Sequence, residues 1–271
     1  MSDLLRYFET NPGRLIYKWM HYFSVYERHF SRYRGKPVKM LEIGVFHGGS
    51  LQMWKHYFGA QTHIIGVDVN PACAAFEEPG IQIEIGDQAD RVFLKSLRDK
   101  HGPFDIVLDD GGHRAAQQIA SFEELFPAVR EGGLYAVEDT HTSYWSQWGG
   151  GLRRPGTFAE YSKQFVDDLH AYFAEQPQHT PGVLRNQCSG VHFYDSILLL
   201  EKRAVPPPVV RITGEPSFPI GAHESLLLAR HEMHRGRNEV ARQRCLEALA
   251  AEPSNRDAMQ LLAELDGLPA R

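Results

Sequence analysis

Two rhythms of hydrophobic and polar positions run along this chain. Short apolar runs of strand length recur at residues 38–44, 64–67, 81–85, 106–109 and 134–137. Between them, segments 51–57, 91–100 and 114–129 read as helices, with 81–85 the clearest alternating strand. Strand and helix in strict alternation predict a parallel, doubly wound, Rossmann-like sheet.

The flanks follow other patterns. Across residues 14–34, Leu15, Trp19, Tyr22, Phe23, Tyr26 and Phe30 fall at helical spacing. Lys18, His21, Tyr22 and Glu27 add a polar, aromatic mixture that suits a cap over a pocket. Residues 141–156 are rich in glycine and aromatics, as in lid loops, and 161–174 predict a helix. Two short apolar runs, 191–194 and 197–200, joined by Asp195 and Ser196, predict an antiparallel hairpin at one sheet edge. Pro206, Pro207 and Pro208 then break the chain. Residues 222–265 are helical again and resemble one and a half tetratricopeptide units, with Leu228, Ala241, Ala248 and Pro253 at packing positions. Such solenoids need about three repeats, so this tail is expected to dock on its own domain or on another subunit. The expected organisation is an N-terminal helical cap (1–37), a cofactor-binding α/β core (38–205), and a linker with tetratricopeptide-like helices (206–271).

Composition narrows the function. Hydrophobic content of 42% and charged content of 23% over 271 residues suit a water-soluble globular chain with a full core. A net charge of −5 argues against an electrostatic grip on nucleic acid. No apolar run approaches bilayer length, so no membrane role is expected. Cys73, Cys188 and Cys245 form no paired spacing, which suits a reducing compartment and a cytoplasmic protein. The first residues carry no signal-peptide pattern.

Chemistry concentrates at the ends of the apolar runs. Strand tips of open α/β sheets are where ligands bind. Run 38–44 enters a glycine loop at Gly44, followed by Gly48, Gly49 and Ser50 before a helix: the phosphate- or nucleotide-binding arrangement. Asp68 ends the second run at the spacing expected of a carboxylate that accepts ribose hydroxyls. Asp87 and Gln88 end the third and could hydrogen-bond an adenine amine. The fourth run ends in Asp109, Asp110, Gly111, Gly112 and His113, and the fifth in Glu138 and Asp139. Two acidic pairs at successive strand tips exceed what helix capping requires. Carboxylates of this kind are hard ligands suited to Mg²⁺ or Mn²⁺, and a neighbouring imidazole can serve as a base.

The glycine loop with Asp68, Gly86 and Asp87 resembles the class I S-adenosylmethionine-dependent methyltransferases. A closer resemblance lies in Lys18 to Tyr22 with Tyr26 and Glu27, Gly48 to Ser50, Gly86 to Gln88, Leu108 to His113, Gly132 to Tyr135, and Val137 to Asp139. Together these resemble the metal-dependent sugar O-methyltransferases of macrolide biosynthesis, the mycinamicin VI 2″-O-methyltransferase group, over residues 18–202. The resemblance implies magnesium at Asp110, Glu138 and Asp139, and His113 as general base. S-adenosylmethionine is then expected beside Tyr22, Glu42, Gly44, Ser50, Asp68, Asp87, Gln88 and Asp109. The implied activity is methyl transfer to a sugar hydroxyl of a glycosylated natural product or polysaccharide precursor, by a homo-oligomer. Catechol or phenol methylation with the same metal, and a non-catalytic cofactor-binding scaffold with a partner-binding tail, are the competing readings.

Overall fold

The computed structural model describes residues 2–173, 182–211, 213–214 and 220–267. They form two compact units that divide between Pro206 and Pro207.

In the first unit the elements are, in chain order, α1 (Asp3–Glu9), α2 (Tyr22–Phe30), β1 (Lys39–Ile43), α3 (Gly49–Phe58), β2 (His63–Asp68), β3 (Ile81–Ile85), α4 (Arg91–His101), β4 (Phe104–Asp109), α5 (Ala115–Leu125), β5 (Val129–Val137), α6 (Phe158–Ser162), α7 (Phe165–Leu169), β6 (Cys188–Phe193) and β7 (Leu198–Lys202). The seven strands order as β3-β2-β1-β4-β5-β7-β6. The first five are parallel, and β7 and β6 add an antiparallel edge. This is a Rossmann-like α/β sheet of the methyltransferase type.

Successive strand residues point to opposite faces, and the core divides accordingly. Met40, Ile64, Ile106, Leu108, Leu134, Ala136 and Leu199 pack against α1, α2 and α3. Leu41, Ile65, Val67, Val107, Tyr135, Val137 and Leu200 pack against α4 to α7. Burial of both faces explains the apolar runs on the central strands.

Several boundaries differ from the sequence expectation. The helix expected over 14–34 begins only at Tyr22, and residues 15–19 form a strap without regular secondary structure. Pro12 and Gly13 precede it, and its backbone lies on the start of α3: a Cβ at Gly49 would meet the Arg14 and Leu15 carbonyl oxygens at 2.4 Å. Leu15 and Trp19 are therefore exposed at 56% and 42% rather than buried on a helix face. Tertiary contact has overridden helical spacing there. Helix α5 stops at Leu125, two residues before Pro127. Strand β5 begins at Val129, earlier than residue 134, and the β4–β5 register shifts between Phe104 and Ile106. Instead of one helix over 161–174 there are α6, α7 and a 3₁₀ turn (Ala171–Phe173); Ala174 lies outside the described residues.

The second unit contains α8 (Ala222–His234), α9 (Asn238–Ala251) and α10 (Arg256–Leu265). Leu226, Ala229, Cys245, Ala248, Ala258 and Leu261 form its small core. Small residues at 229, 241, 245, 248 and 258 let the helices approach closely. Among the described residues, no helix is long and apolar enough to cross a membrane.

Candidate active site

The register of the sheet assembles the site. Val67, Ile43, Asp109 and Val137 form one transverse row across β2, β1, β4 and β5. The next row, one residue on, holds Asp68, Gly44, Asp110 and Glu138. Side chains of successive rows face opposite ways. The pleat thus turns Asp109 toward Gln88 and α5 and Asp110 toward the strap and α2, which is why two adjacent aspartates have different surroundings.

A cavity of about 490 Å³ opens above these tips. Gly44, Ser50, Asp68, Asp87, Gln88, Asp110, His113, Glu138, Asp139 and Tyr22 all line it, as do strap residues 15–19. Glu42 and Asp109, expected at the cofactor, do not line it. Each is at most 1% exposed beneath its floor. Burial pushes the carboxyl of each up to about 7, against opposing help from Lys18 at Glu42 and from the Gly111 amide and Gln88 at Asp109. Gly44 adopts φ 96°, and a Cβ there would lie 2.0 Å from the Asp110 carbonyl oxygen. Only glycine lets the two loops touch at this point.

On the β2 side the carboxylate serves the backbone. Asp68 Oδ2 accepts the Val45 and Phe46 amides at 2.9 and 3.0 Å, and Oδ1 accepts the Asn70 amide at 2.9 Å. Gln88 is similarly committed. Its amide donates to Asp109 Oδ1 at 2.6 Å, and its carbonyl accepts the Gly112 amide at 2.9 Å, so it clasps the β3 and β4 tips together. Asp87 Oδ1 accepts the Ala89 amide at 2.8 Å and otherwise faces the cavity.

On the β4–β5 side the carboxylates face one another. Lys18 Nζ lies between them, 2.5 Å from Asp110 Oδ2 and 2.8 Å from Glu138 Oε2, with its side chain only 2% exposed. Burial works against the ammonium, but Asp110, Glu138 and Glu42 outweigh it and raise its pKa. Tyr26 donates to Glu138 Oε1 at 2.5 Å. Burial, then repulsion from Asp110, pushes Glu138 well above the ordinary carboxylate range despite Lys18. Tyr22 donates to Asp139 Oδ1 at 2.5 Å, and its hydroxyl oxygen accepts from Ser196 Oγ at 2.9 Å. His113 Nε2 is 3.5 Å from Asp139 Oδ2, and its Nδ1 has no hydrogen-bond partner among the described residues. His113 and Asp139 both sit at φ 54°, a conformation that non-glycine residues rarely adopt. Thr142 Oγ1 holds this pair of turns together, at 2.8 Å from the carbonyls of both residues. Trp148 packs its ring edge against His113.

One oxygen each of Asp110 and Asp139 and one nitrogen of His113 lie within 4.8 Å of one another. Two hard carboxylates converging at the cavity wall fit a divalent cation, with the imidazole beside them. Glu138 stands just behind, engaged by Lys18 and Tyr26. Sequence reasoning gave no part to Lys18 as a buried cation, to Tyr26 or to Ser196. Lys18 carried a signal only through its place in the cap stretch and in a shared motif, because an isolated lysine on a polar stretch reads as solvated.

A glycine loop on β1, acidic tips on β2, β4 and β5, and an antiparallel edge after β5 are the features of the class I methyltransferase fold. Residues 41–140 match the family described as methyltransferase domain, and the chain carries a domain of that family. It is similar to the tetracenomycin-C rhamnosyl 3′-O-methyltransferase of Streptomyces olivaceus, at 42% identity over 200 residues covering 68% of this chain and 50% of that protein. It is also similar to the mycinamicin VI 2″-O-methyltransferase of Micromonospora griseorubida, at 38% identity over 209 residues, 73% of this chain and 51% of that one. The structure of the MycE methyltransferase of the mycinamycin pathway, in complex with Mg, S-adenosylhomocysteine and mycinamycin VI, superposes with a TM-score of 0.65 at 37% identity. That match covers 75% of this chain and 53% of MycE. The chain spans about half the length of the curated relatives it matches.

Proposed function

We propose that this chain is a metal-dependent O-methyltransferase that moves a methyl group from S-adenosylmethionine to a sugar hydroxyl of a glycosylated natural product. The observation that carries the proposal is the meeting of Asp110, Asp139 and His113 at the wall of the glycine-loop cavity. Relatives that act on rhamnosyl tetracenomycins and mycinamicin support the sugar acceptor.

Gly44 and Asp68 would hold the amino-acid end and the ribose of the donor, with Tyr22, Ser50 and Asp87 on the same wall. Gln88, Glu42 and Asp109 would shape the floor from behind. Asp110 and Asp139, backed by Glu138, would hold the magnesium ion. Bound there, the ion would polarise the acceptor hydroxyl and offset the repulsion among the carboxylates. His113 would take the hydroxyl proton at a ring nitrogen as the oxygen attacks the methyl carbon. Tyr22 and Ser196 would fix Asp139, and Trp148 would hold the imidazole plane. The strap and α2 would cover the donor, giving the cap of residues 1–37 its purpose beside the 38–205 core. Residues 206–271 would supply a linker and tetratricopeptide-like helices that support a cytoplasmic homo-oligomer.

The deciding experiment offers methyl-labelled S-adenosylmethionine with a panel of glycosylated polyketides, plain polyketide cores and catechols. Label on a sugar hydroxyl is expected, abolished by EDTA and restored by Mg²⁺ or Mn²⁺, with donor binding retained in the chelated protein. Label on catechols alone would replace the sugar reading with the phenolic one. Full transfer after exhaustive chelation would overturn the metal assignment.

A further inference from the structure

A second group of metal-binding side chains lies away from the cavity, where α2 packs on the β6–β7 hairpin. His29 comes from the last turn of α2 and is 7% exposed. His192 is on β6 and Glu201 on β7, with side chains 34% and 28% exposed. In the hairpin register His192 faces Leu199, and Glu201 faces Gly190. His192 and Glu201 are therefore diagonal neighbours on one face, the face that α2 covers. His192 Nε2 is 3.0 Å from Glu201 Oε1. The His29 and His192 rings lie 4.7 Å apart, and His29 Nε2 is 2.8 Å from the Tyr194 hydroxyl. One ligand atom from each of His29, His192 and Glu201 falls within 4.8 Å of the others.

We infer that His29, His192 and Glu201 form a binding site for a borderline-soft divalent ion, zinc above all, distinct from the carboxylate cluster at the strand tips. Two imidazoles and one carboxylate are a common zinc donor set, and the fourth position is open to Tyr194 or to water from the exposed side. Magnesium favours oxygen ligands and keeps its waters, so it suits this site poorly. The His29 imidazole also meets the protonation requirement of a ligand. Burial, followed by the neighbouring His192, pushes His29 down to about 4 despite Glu201, so it is neutral at physiological pH. Arg28 and Arg32 act in the same direction and oppose a cation, so affinity would come from the nitrogen donors rather than from the local field. The inference does not rest on the methyltransferase reading.

The site would staple two elements that also serve the cavity. Tyr22 stands two turns before His29 on the same helix, and Ser196 lies in the turn of the same hairpin. The Tyr22 hydroxyl is bonded to Ser196, and Ser196 also bonds His141. An ion here would tie α2 to the hairpin and hold the tyrosine that grips Asp139.

Equilibrium dialysis of the full chain against Zn²⁺ in excess Mg²⁺ tests the site, with visible absorption of the Co²⁺ form reporting nitrogen ligation. The wild type should retain one zinc per chain and gain several degrees in Tm. His192→Gln and Glu201→Gln change partly exposed side chains and should leave the fold intact. Each should weaken zinc by at least the roughly 10–100-fold that losing even an outer partner costs a metal site, and should lose the Tm gain. Retention of no zinc by the wild type would overturn the proposal, as would equal affinity in both variants. Zinc that is lost in His113→Ala but kept in His192→Gln would also overturn it, by locating the ion at the strand tips.

Discussion

The two sides of the cavity use the same side chain for opposite purposes. On the β2 side, Asp68 is surrounded by backbone N–H groups from the glycine loop and from Asn70. It needs no cation, because three oriented amides already stabilise its charge. On the β4–β5 side, Asp110, Glu138 and Asp139 see mainly one another, two tyrosines, an imidazole and the Lys18 ammonium. Here only a positive charge makes the arrangement tolerable. A strand-tip carboxylate flanked by free amides shapes a loop, whereas one flanked by other carboxylates creates demand for a cation.

That contrast can be broken by substitution, and the largest effect is expected on the acidic side. His113→Ala should lower turnover by about 10²–10⁴-fold, the range for loss of a general base, while calorimetry shows donor affinity nearly unchanged. A normal rate would move the proton transfer elsewhere, with His141 the nearest imidazole to Asp139 after His113.

Next in size is Lys18→Met. Removing one partner of a buried ion pair costs about 3–5 kcal/mol, and denaturant titration of the chelated protein should show a loss of that order. Mg²⁺ should recover more stability in the variant than in the wild type, since the ion would supply the missing charge. An equal response in both proteins would separate Lys18 from the metal site.

Glu42 gives a pH test. Its carboxyl is raised to about 7 in the fold, mainly by burial. Folding therefore favours its protonated form. The stability it contributes is full below about pH 4.5, its ordinary range, and is lost as pH rises through 7. Glu42→Gln should leave the metal-free protein more stable than wild type at pH 8, by up to about 3 kcal/mol, and nearly equal at pH 5. Parallel stability curves for the two proteins across that interval would contradict the sign.

On the amide side the effect should be smaller. Asp68→Ala should weaken S-adenosylmethionine binding by about 1.5–3 kcal/mol, the worth of a hydrogen bond to a charged group. Part of that loss would be indirect, because the Val45 and Phe46 amides lose their acceptor. Unchanged affinity in the folded variant would show that Asp68 only supports the loop.

Much of this was legible from the chain alone. Short apolar runs ending in glycine or acid located β1 to β5 and their tips, because strands buried on both faces leave an apolar signature and their ends need turns. The short spacer at Asp195 and Ser196 located the antiparallel edge. What could not be read was set by tertiary contact. Leu15 and Trp19 have helical spacing, yet packing of the strap on α3 at Gly49 keeps residues 15–19 out of a helix. The pair Asp109 and Asp110 could not be assigned to opposite faces until the pleat was known. Gln88 has the chemistry of an adenine contact, but its two amide ends meet partners from β4 that lie 21 and 24 residues away. Local sequence carries hydrogen-bonding capacity and does not say where that capacity is used.

The contact at Gly49 also constrains how this chain can vary. Its missing side chain is the space in which the strap lies, and the strap carries Lys18 into the acidic cluster. A single methyl group at position 49 would displace backbone rather than a flexible side chain, and the displacement would be transmitted through Leu15 and Ile16 to the ammonium. In a library of random variants, Gly49 should tolerate replacement as poorly as Asp110, although it does not line the cavity.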